Sequence, residues 1–303
     1  MKTSGEKSSS MGDKSLRGGL WFHERWGSRV VPLLVPLLVG LPIVWSVIYS
    51  SFYSVGLIGR LSTGLTLRHW SAALATGGLV QSVIYSCAVA AISTLLATGG
   101  ALLFMLLWPN ARHSRWVVSL LCLPFATPAA VTALLVYQLL NPGGFVARVA
   151  AWCGLINSPA DFPVLVNDRW SMGLIVAQTS ITWPLLLMFL WRSWSAGRID
   201  RYCRVAESLG ATSWQARRHV ALPMLWFRVR PLCVLAFLTN LGAYELPLVL
   251  GRQSPQMFSV LTQRRFGQFD LEQRPQAFAL AVVYLLLIGV GVAVMLRWRR
   301  RTA

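Results

Sequence analysis

The chain has 303 residues, of which 55% are hydrophobic and only 13% are charged, and its mean hydropathy is +0.56. About a quarter of the residues in a soluble globular protein are charged, so this composition excludes that class and indicates a membrane protein. The net charge of +18 lies in short basic clusters between apolar runs. Because no single soluble domain gathers this charge, the sequence does not indicate a nucleic-acid-binding protein.

The first 28 residues are rich in serine, glycine and lysine. A segment of this composition cannot bury enough apolar surface to fold, so we expect residues 1–28 to form a disordered tail. The apolar run that follows is too long, and begins too late, for a cleaved signal peptide. Residues 29–303 are therefore expected to form one membrane domain.

Six apolar runs follow along the chain, and each is long enough to cross the membrane as an α-helix. About 20 helical residues span a hydrocarbon core of about 30 Å, and helices are the default because the backbone finds no water there. Prolines inside the runs, such as Pro124 and Pro128, predict kinks. We predict an all-α membrane protein with spans at about residues 30–54, 80–107, 116–140, 171–191, 230–250 and 275–296.

The basic residues indicate how these spans are oriented. If the amino terminus is cytoplasmic, 20 of the 28 Lys and Arg residues fall in cytoplasmic segments and eight in outer segments. The positive-inside rule then predicts that both termini lie in the cytoplasm. It also places the polar loop between spans 4 and 5, residues 198–223, on the cytoplasmic side.

This loop has the pattern of two short helices joined by a tight corner. An apolar stripe at helical spacing marks the first helix, and Gly210 is suited to the left-handed residue that closes it. Thr212 and Gln215 match a capping box that begins the second helix, and Pro223 is expected to end that helix near Ala221 or Leu222. The stripe consists of Tyr202, Val205, Ala206 and Leu209.

The loop resembles the cytoplasmic loop of permease subunits of binding-protein-dependent ABC importers. That family carries Glu-Ala-Ala-x-x-x-Gly-Ala, followed by Leu-Pro after a short helix. The sequence departs from this pattern where Arg204 replaces the glutamate and Val205 the first alanine, although Glu207 could partly replace the missing acid. The matching residues are Ala206, Gly210, Ala211, Leu222 and Pro223.

The resemblance implies a type I importer fold in which the loop forms coupling helices that lie in a groove of an ATPase subunit. The implied partners are an ABC ATPase dimer, a second permease subunit, an external solute-binding protein and the lipid bilayer. The implied location is the bacterial inner membrane. The chain has no Gly-x-x-x-x-Gly-Lys-Ser/Thr motif. We therefore expect no enzymatic activity and no cofactor on this chain, with ATP bound by the partner. The expected coupling residues are Ala206, Glu207, Gly210, Ala211, Leu222 and Pro223.

Two other functional classes fit parts of the sequence. A secondary transporter or channel would have the same spans, but it has no need of this loop, and no inverted repeat is evident. Residues 205–213 also resemble the core of a DNA-binding helix-turn-helix. The loop of about 35 residues between spans is too short for the helices that support a recognition helix, so we expect no nucleic-acid partner.

Glu245 is the only acidic residue within a predicted span, in the segment Asn240-Leu-Gly-Ala-Tyr-Glu. An intramembrane carboxylate usually faces a cavity or a partner. Glu245, with Tyr244 and Asn240 nearby, is therefore a candidate for the translocation path. The alternative is a structural pair between Glu245 and an arginine or a backbone amide.

The outer segments at residues 251–257 and 270–277 resemble the spermidine/putrescine-like branch of these permeases. The resemblance, together with Glu245, suggests a polyamine-like cargo or another small solute. The five cysteines are widely spaced without a CxxC motif, and the four histidines are scattered. We therefore predict buried thiols and no metal site.

Overall fold

The computed structural model describes residues 34, 37–58, 64–66, 68–75, 78–108, 111, 114–268 and 274–302. All regular secondary structure within these residues is helical, which confirms the predicted all-α fold class. The predicted tail, residues 1–28, lies outside the described residues.

The helices follow one another with short connections. They are α1 (Leu37–Ser54), α2 (Arg68–Ala75), α3 (Leu79–Leu107), α4 (Arg115–Ala126), α5 (Ala129–Leu140), α6 (Phe145–Trp152), α7 (Met172–Ala196), α8 (Ile199–Ser208), α9 (Ser213–Ala216), α10 (Leu222–Gly242), α11 (Glu245–Leu250), α12 (Phe258–Phe266) and α13 (Arg274–Thr302). A 3-10 turn covers Pro159–Asp161, and a π turn covers Arg217–Ala221.

Six helical segments in the described part of the chain are long and apolar enough to cross a membrane. Two of them are α3 and α7, which lie in the part of the sequence where spans at residues 80–107 and 171–191 are predicted. The others are α1, α5 together with α6, the helix from Ser213 to Gly242, and α13 as far as Arg297.

The predicted third span, residues 116–140, is divided into two helices. α4 ends at Ala126, and α5 begins at Ala129 after the pair Thr127–Pro128. Thr127 has an extended backbone (φ −96°, ψ 126°), as expected for a residue whose helical conformation is disfavoured by the following proline. The proline expected to kink a single helix thus separates two.

The centre of the bundle is formed by α3 and α7. In the most apolar 18-residue stretch of each of these helices, 56% of the residues are buried. The buried face of α3 consists largely of small residues, including Ala90, Ala97 and Ala101. Small residues allow helix backbones to approach closely in a membrane protein. A Cβ atom at Gly100 would lie 3.2 Å from the Trp183 ring on α7, so this glycine sets the separation of the two helices.

Candidate coupling loop and intramembrane polar cluster

The first helix of the coupling loop (residues 198–223) is held against the end of α7. The indole Nε1 of Trp194 donates a hydrogen bond of 2.7 Å to Oδ1 of Asp200. Asp200 lies in the first turn of α8, where a carboxylate also stabilises the positive end of the helix dipole. This contact fixes where α8 begins relative to the membrane-spanning α7.

The two faces of α8 have different surroundings. Ile199 is fully buried, Cys203 is 9% exposed and Ala206 is half-buried against the bundle. Burial raises the pKa of the Cys203 thiol, with smaller contributions from the Asp200 and Glu207 carboxylates. This side of α8 is an extension of the protein core.

The opposite side of α8 carries three exposed apolar residues, which we call the apolar face. Tyr202, Val205 and Leu209 are 54%, 58% and 83% exposed. The stripe predicted from the sequence is therefore split, with Ala206 turned towards the bundle and the other three residues exposed. An amphipathic helix with an additional exposed apolar face is typical of a surface that another protein covers.

Gly210 forms the corner that the sequence predicts. Its φ is +94°, in the left-handed region, and its N–H donates to the Glu207 carbonyl. The Ala211 N–H donates to the Ala206 carbonyl at 3.1 Å. This pair of bonds is the Schellman arrangement, in which a left-handed glycine ends a helix.

The predicted capping box is also present. The Thr212 hydroxyl accepts a bond of 3.3 Å from the Gln215 N–H, and the Gln215 side-chain carbonyl accepts one of 2.9 Å from the Thr212 N–H. Two backbone donors at the start of α9 are thereby satisfied.

The prediction that Pro223 ends this second helix is wrong. A π turn follows α9, the Leu222 N–H donates to the Arg217 carbonyl five residues earlier, and the helix continues to Gly242. The π turn shifts the hydrogen-bond register just before the proline. Pro223 then lies in the first turn of α10, directly after the shifted bond, where a residue without an N–H is tolerated. Leu222 and Pro223 are therefore part of the membrane-entering helix.

Two arginines attach the coupling loop and α10 to the ends of other spans. Arg217 Nη1 donates to the Leu106 carbonyl at the end of α3, at 2.9 Å. Arg228 Nη1 donates to the Ser193 carbonyl near the end of α7, at 3.0 Å. Cations suit helix carboxyl ends because the last carbonyls have no helical partner. Sequence reasoning missed both contacts because each one joins residues far apart in the chain.

The remaining predicted coupling residues lie on the surface of the loop. Glu207 and Arg204 are both exposed on α8, and Ala211 is half-buried at the corner. No ion pair involving Glu207 or Arg204 occurs among the described residues. Ala206, Glu207, Gly210 and Ala211 are thus brought together at the corner, whereas Leu222 and Pro223 lie beyond the π turn.

Asn240 lies at the centre of a buried polar cluster between three spans. Its Nδ2 donates to Thr94 on α3 at 3.2 Å, and its Oδ1 accepts from Thr182 on α7 at 3.1 Å. The Asn240 carbonyl accepts from Gln178 Nε2 at 3.0 Å. Asn240 is 6% exposed, so these bonds connect α3, α7 and α10 within the bundle.

A break in the fifth span places Tyr244 and Glu245 at the surface. Pro247 has no N–H to donate to the Ala243 carbonyl, and that carbonyl instead accepts from the Ser259 hydroxyl at 2.6 Å. The helix stops at Gly242 and restarts as α11 at Glu245. Both Tyr244 and Glu245 are exposed, and the Glu245 side chain makes no ion pair or hydrogen bond within the described residues. The alternative of a structural pair for Glu245 therefore has no support there.

Comparison with known proteins identifies the family. The sequence profile described as "Binding-protein-dependent transport system inner membrane component" matches residues 93–302. The chain belongs to this family. It is a multi-pass membrane permease component of an ABC transporter.

Two relatives show the range of the family. The chain is 26% identical over 264 residues to the inner membrane ABC transporter permease protein YnjC of Escherichia coli (strain K12), covering 80% of this chain and 46% of that one. It is 24% identical over 235 residues to the galactooligosaccharides transport system permease protein GanP of Bacillus subtilis (strain 168), covering 74% and 53%. The chain thus spans about half the length of these relatives.

One solved structure has the same fold along nearly the whole chain. It is a bacterial ABC transporter involved in the import of the acidic polysaccharide alginate, with a TM-score of 0.67 at 15% identity. The match covers 93% of this chain and 97% of that one. The spermidine/putrescine-like branch expected from the sequence is not confirmed, because the substrates named for these proteins are galactooligosaccharides and alginate.

Gly210→Val tests whether the corner geometry is required. A β-branched residue in the left-handed region is strained by roughly 1–3 kcal/mol, so the two loop helices would change their relative angle. We expect the variant to insert into membranes at the wild-type level while the solute transported per ATP hydrolysed falls at least severalfold. Gly210→Asn is the matched control, because asparagine tolerates this conformation. Full coupling in Gly210→Val would contradict the proposed role of the corner.

Proposed function

We propose that this chain is one permease subunit of an ATP-driven solute importer, and that a separate ATPase subunit binds it at the coupling loop. The observation that carries the proposal is the apolar face of α8, formed by Tyr202, Val205 and Leu209, on a helix whose other side packs into the bundle. Helix-in-groove recognition uses such a face. The family match supports the same assignment.

The same geometry disfavours the helix-turn-helix alternative. The helix that would read DNA is continuous with a membrane span as far as Gly242. Ala216 and Ala221, on that helix, are buried against the bundle. A recognition helix must present one side to the major groove over several turns, and here the loop offers only one short turn, α9, before the membrane segment.

The connections of the loop suggest how force passes to the spans. A displacement of the loop would pull α10 directly, α3 through Arg217 and α7 through Trp194 and Asp200. These three spans are also joined by the Asn240 cluster. We infer that they move as a rigid body when ATP closes the ATPase dimer, which is the usual form of such switching. ATP binding and hydrolysis belong to the partner.

The path for solute is proposed to pass the break between α10 and α11. Tyr244 and Glu245 are exposed in this single subunit, and a second permease subunit, either a copy or a relative, would enclose them. A solute-binding protein would deliver cargo from outside. One solved structure of the same fold is a bacterial alginate ABC transporter in complex with an alginate pentasaccharide-bound periplasmic protein, which supports this partner.

The direct test is uptake in vesicles with and without the cognate ATPase and ATP. We expect solute accumulation only when both are present. Leu209→Asp should reduce uptake and ATPase co-purification by tenfold or more, because burying a leucine contributes about 1.5–3 kcal/mol and a buried carboxylate adds a desolvation cost. Leu155→Asp is the control, since Leu155 is similarly exposed (78%) but lies between α6 and α7, outside the coupling loop. Equal uptake with and without the ATPase and ATP would favour a secondary transporter or channel.

Glu245→Gln tests the proposed path. The substitution keeps the shape of the side chain and removes its charge, so we expect assembly with the ATPase to be unchanged and the transport rate to fall. The rate should be measured for a cationic solute such as spermidine and for a neutral sugar. A loss confined to spermidine would support the polyamine-like cargo suggested by the sequence and would count against a sugar-acid cargo. Unchanged transport of both solutes would remove Glu245 from the path.

A further inference from the structure

A cavity of about 370 Å³ lies at the end of the bundle distal from the coupling loop; we call it the distal cavity. The carboxyl end of α3 contacts the coupling loop through Leu106, whereas the cavity lies at the amino end of the same helix, at Gly78–Ser82. A helix of 29 residues separates the two by roughly 40 Å. The size is in the range of small-molecule sites, about 300–1,000 Å³.

The lining of the distal cavity is polar and basic. It combines two guanidinium groups with five side-chain amides and two hydroxyls, and no acidic residue is among the described lining residues. The polar groups come from α3, from the segment between α11 and α12, from α12 and the two residues after it, and from α13. They are Arg264, Arg265, Gln81, Gln253, Gln256, Gln268, Gln276, Ser82 and Ser254.

The two guanidiniums are oriented by amides of the same cavity. Arg264 Nη2 donates to Gln253 Oε1 at 2.7 Å, and Arg265 Nη1 donates to Gln276 Oε1 at 3.4 Å. Each is the one side-chain hydrogen bond that its guanidinium makes within the described residues. A guanidinium has five N–H donors in a planar fork, so each retains donors with the geometry that binds a carboxylate.

The segment before α12, which forms one wall of the distal cavity, is fixed by a contact with α3. The buried Ser86 hydroxyl on α3 accepts a bond of 2.8 Å from the Phe258 N–H at the start of α12. Met257 and Phe258 are each 1% exposed. The segment that carries Gln253 and Gln256 is therefore anchored to α3 at Phe258, two residues after Gln256.

The arginines favour a ligand with a carboxylate, and Gln256 favours a ligand that also has a hydrogen-bond donor. Its Oε1 is buried and has no hydrogen-bond donor among the described residues. A buried acceptor without a donor costs about 1–3 kcal/mol, and a ligand hydroxyl would satisfy it. Side-chain amides can also donate and accept at once, which suits neighbouring hydroxyls on one molecule.

We propose that the distal cavity binds a small polyhydroxylated carboxylate of the sugar-acid class. The carboxylate is held by Arg264 and Arg265, and the hydroxyls are held by the glutamines, with one hydroxyl donating to Gln256. The two arginines, with no carboxylate among the described residues of the lining, repel a polyamine. As a solute-recognition site this inference rests on the proposed importer function, and it assigns the class of cargo.

Calorimetric titration tests this site on the full chain assembled with its partner subunits in lipid nanodiscs, without ATP and without a binding protein. The probes are galacturonate, galactose, sulfate and spermidine. We expect saturable galacturonate binding, with galactose and sulfate at least about tenfold weaker, because each lacks one of the two recognised groups. Spermidine should give no saturable signal. Equal affinity for galactose or sulfate, or saturable spermidine binding, overturns the proposal.

Substitutions in the cavity lining test whether galacturonate binds in the distal cavity. Arg264→Gln/Arg265→Gln should weaken galacturonate binding by about tenfold or more, since charge-assisted bonds are lost. Gln256→Glu should do the same by placing a like charge beside the ligand, and its near-identical shape preserves the fold. Arg169→Gln is the matched control, an exposed arginine that does not line the cavity, and should bind as the wild type does.

Two further outcomes separate this inference from the importer function. Wild-type binding in both cavity variants overturns the proposed site, even if galacturonate binds elsewhere. Absence of galacturonate binding together with intact ATP-driven uptake of another solute overturns this inference and leaves the importer function standing.

Discussion

The uninterrupted helix from Ser213 to Gly242 is the constraint on which the rest of the arrangement depends. It carries the second half of the coupling loop into the bundle as one continuous helix, because the π turn at Arg217–Ala221 accommodates Pro223 without ending the helix. At the far end the same helix carries Asn240. A force on the loop is therefore a force on the intramembrane polar cluster.

The hydrogen bonds of the polar cluster join α3, α7 and α10 to one another. In an apolar environment a polar side chain without a partner is costly, so the bonds of Asn240 to Thr94 and Thr182 fix the register of α10 against α3 and α7. Interhelical bonds of this kind contribute modestly one by one. Together with the small-residue packing of α3, they favour one relative position of the three spans, which suits switching between discrete packed states.

Local chemistry predicted those parts of the structure that depend on neighbouring residues. The Schellman turn at Gly210 and the capping box at Thr212 were predictable because each needs only a few residues in sequence. The continuation of the helix through Pro223 was not predictable, because the rule that proline ends a helix does not take account of a π turn just before the proline. The break before Glu245 did have a signal, because Pro247 leaves the Ala243 carbonyl without its helical donor.

Contacts between distant segments were beyond the reach of sequence patterns. Arg217 and Leu106 are 111 positions apart, and the residues of the distal cavity come from separate segments of the chain. The polyamine-like expectation rested on Glu245 and on the resemblance of residues 251–257 and 270–277, whereas the fold brings arginines and glutamines together in the distal cavity. The apolar stripe of α8 was visible in the sequence, but only packing decides which of its residues stay exposed.

The most direct test of the central claim is photo-cross-linking from position 209 in the complete importer. A benzophenone amino acid replacing Leu209 should form a covalent adduct with the ATPase subunit, and the yield should change when ATP closes the ATPase dimer. The same probe replacing Leu155, which is exposed outside the coupling loop, should not label the ATPase. If position 209 labels only lipid or a second permease, the coupling loop is not the ATPase docking site.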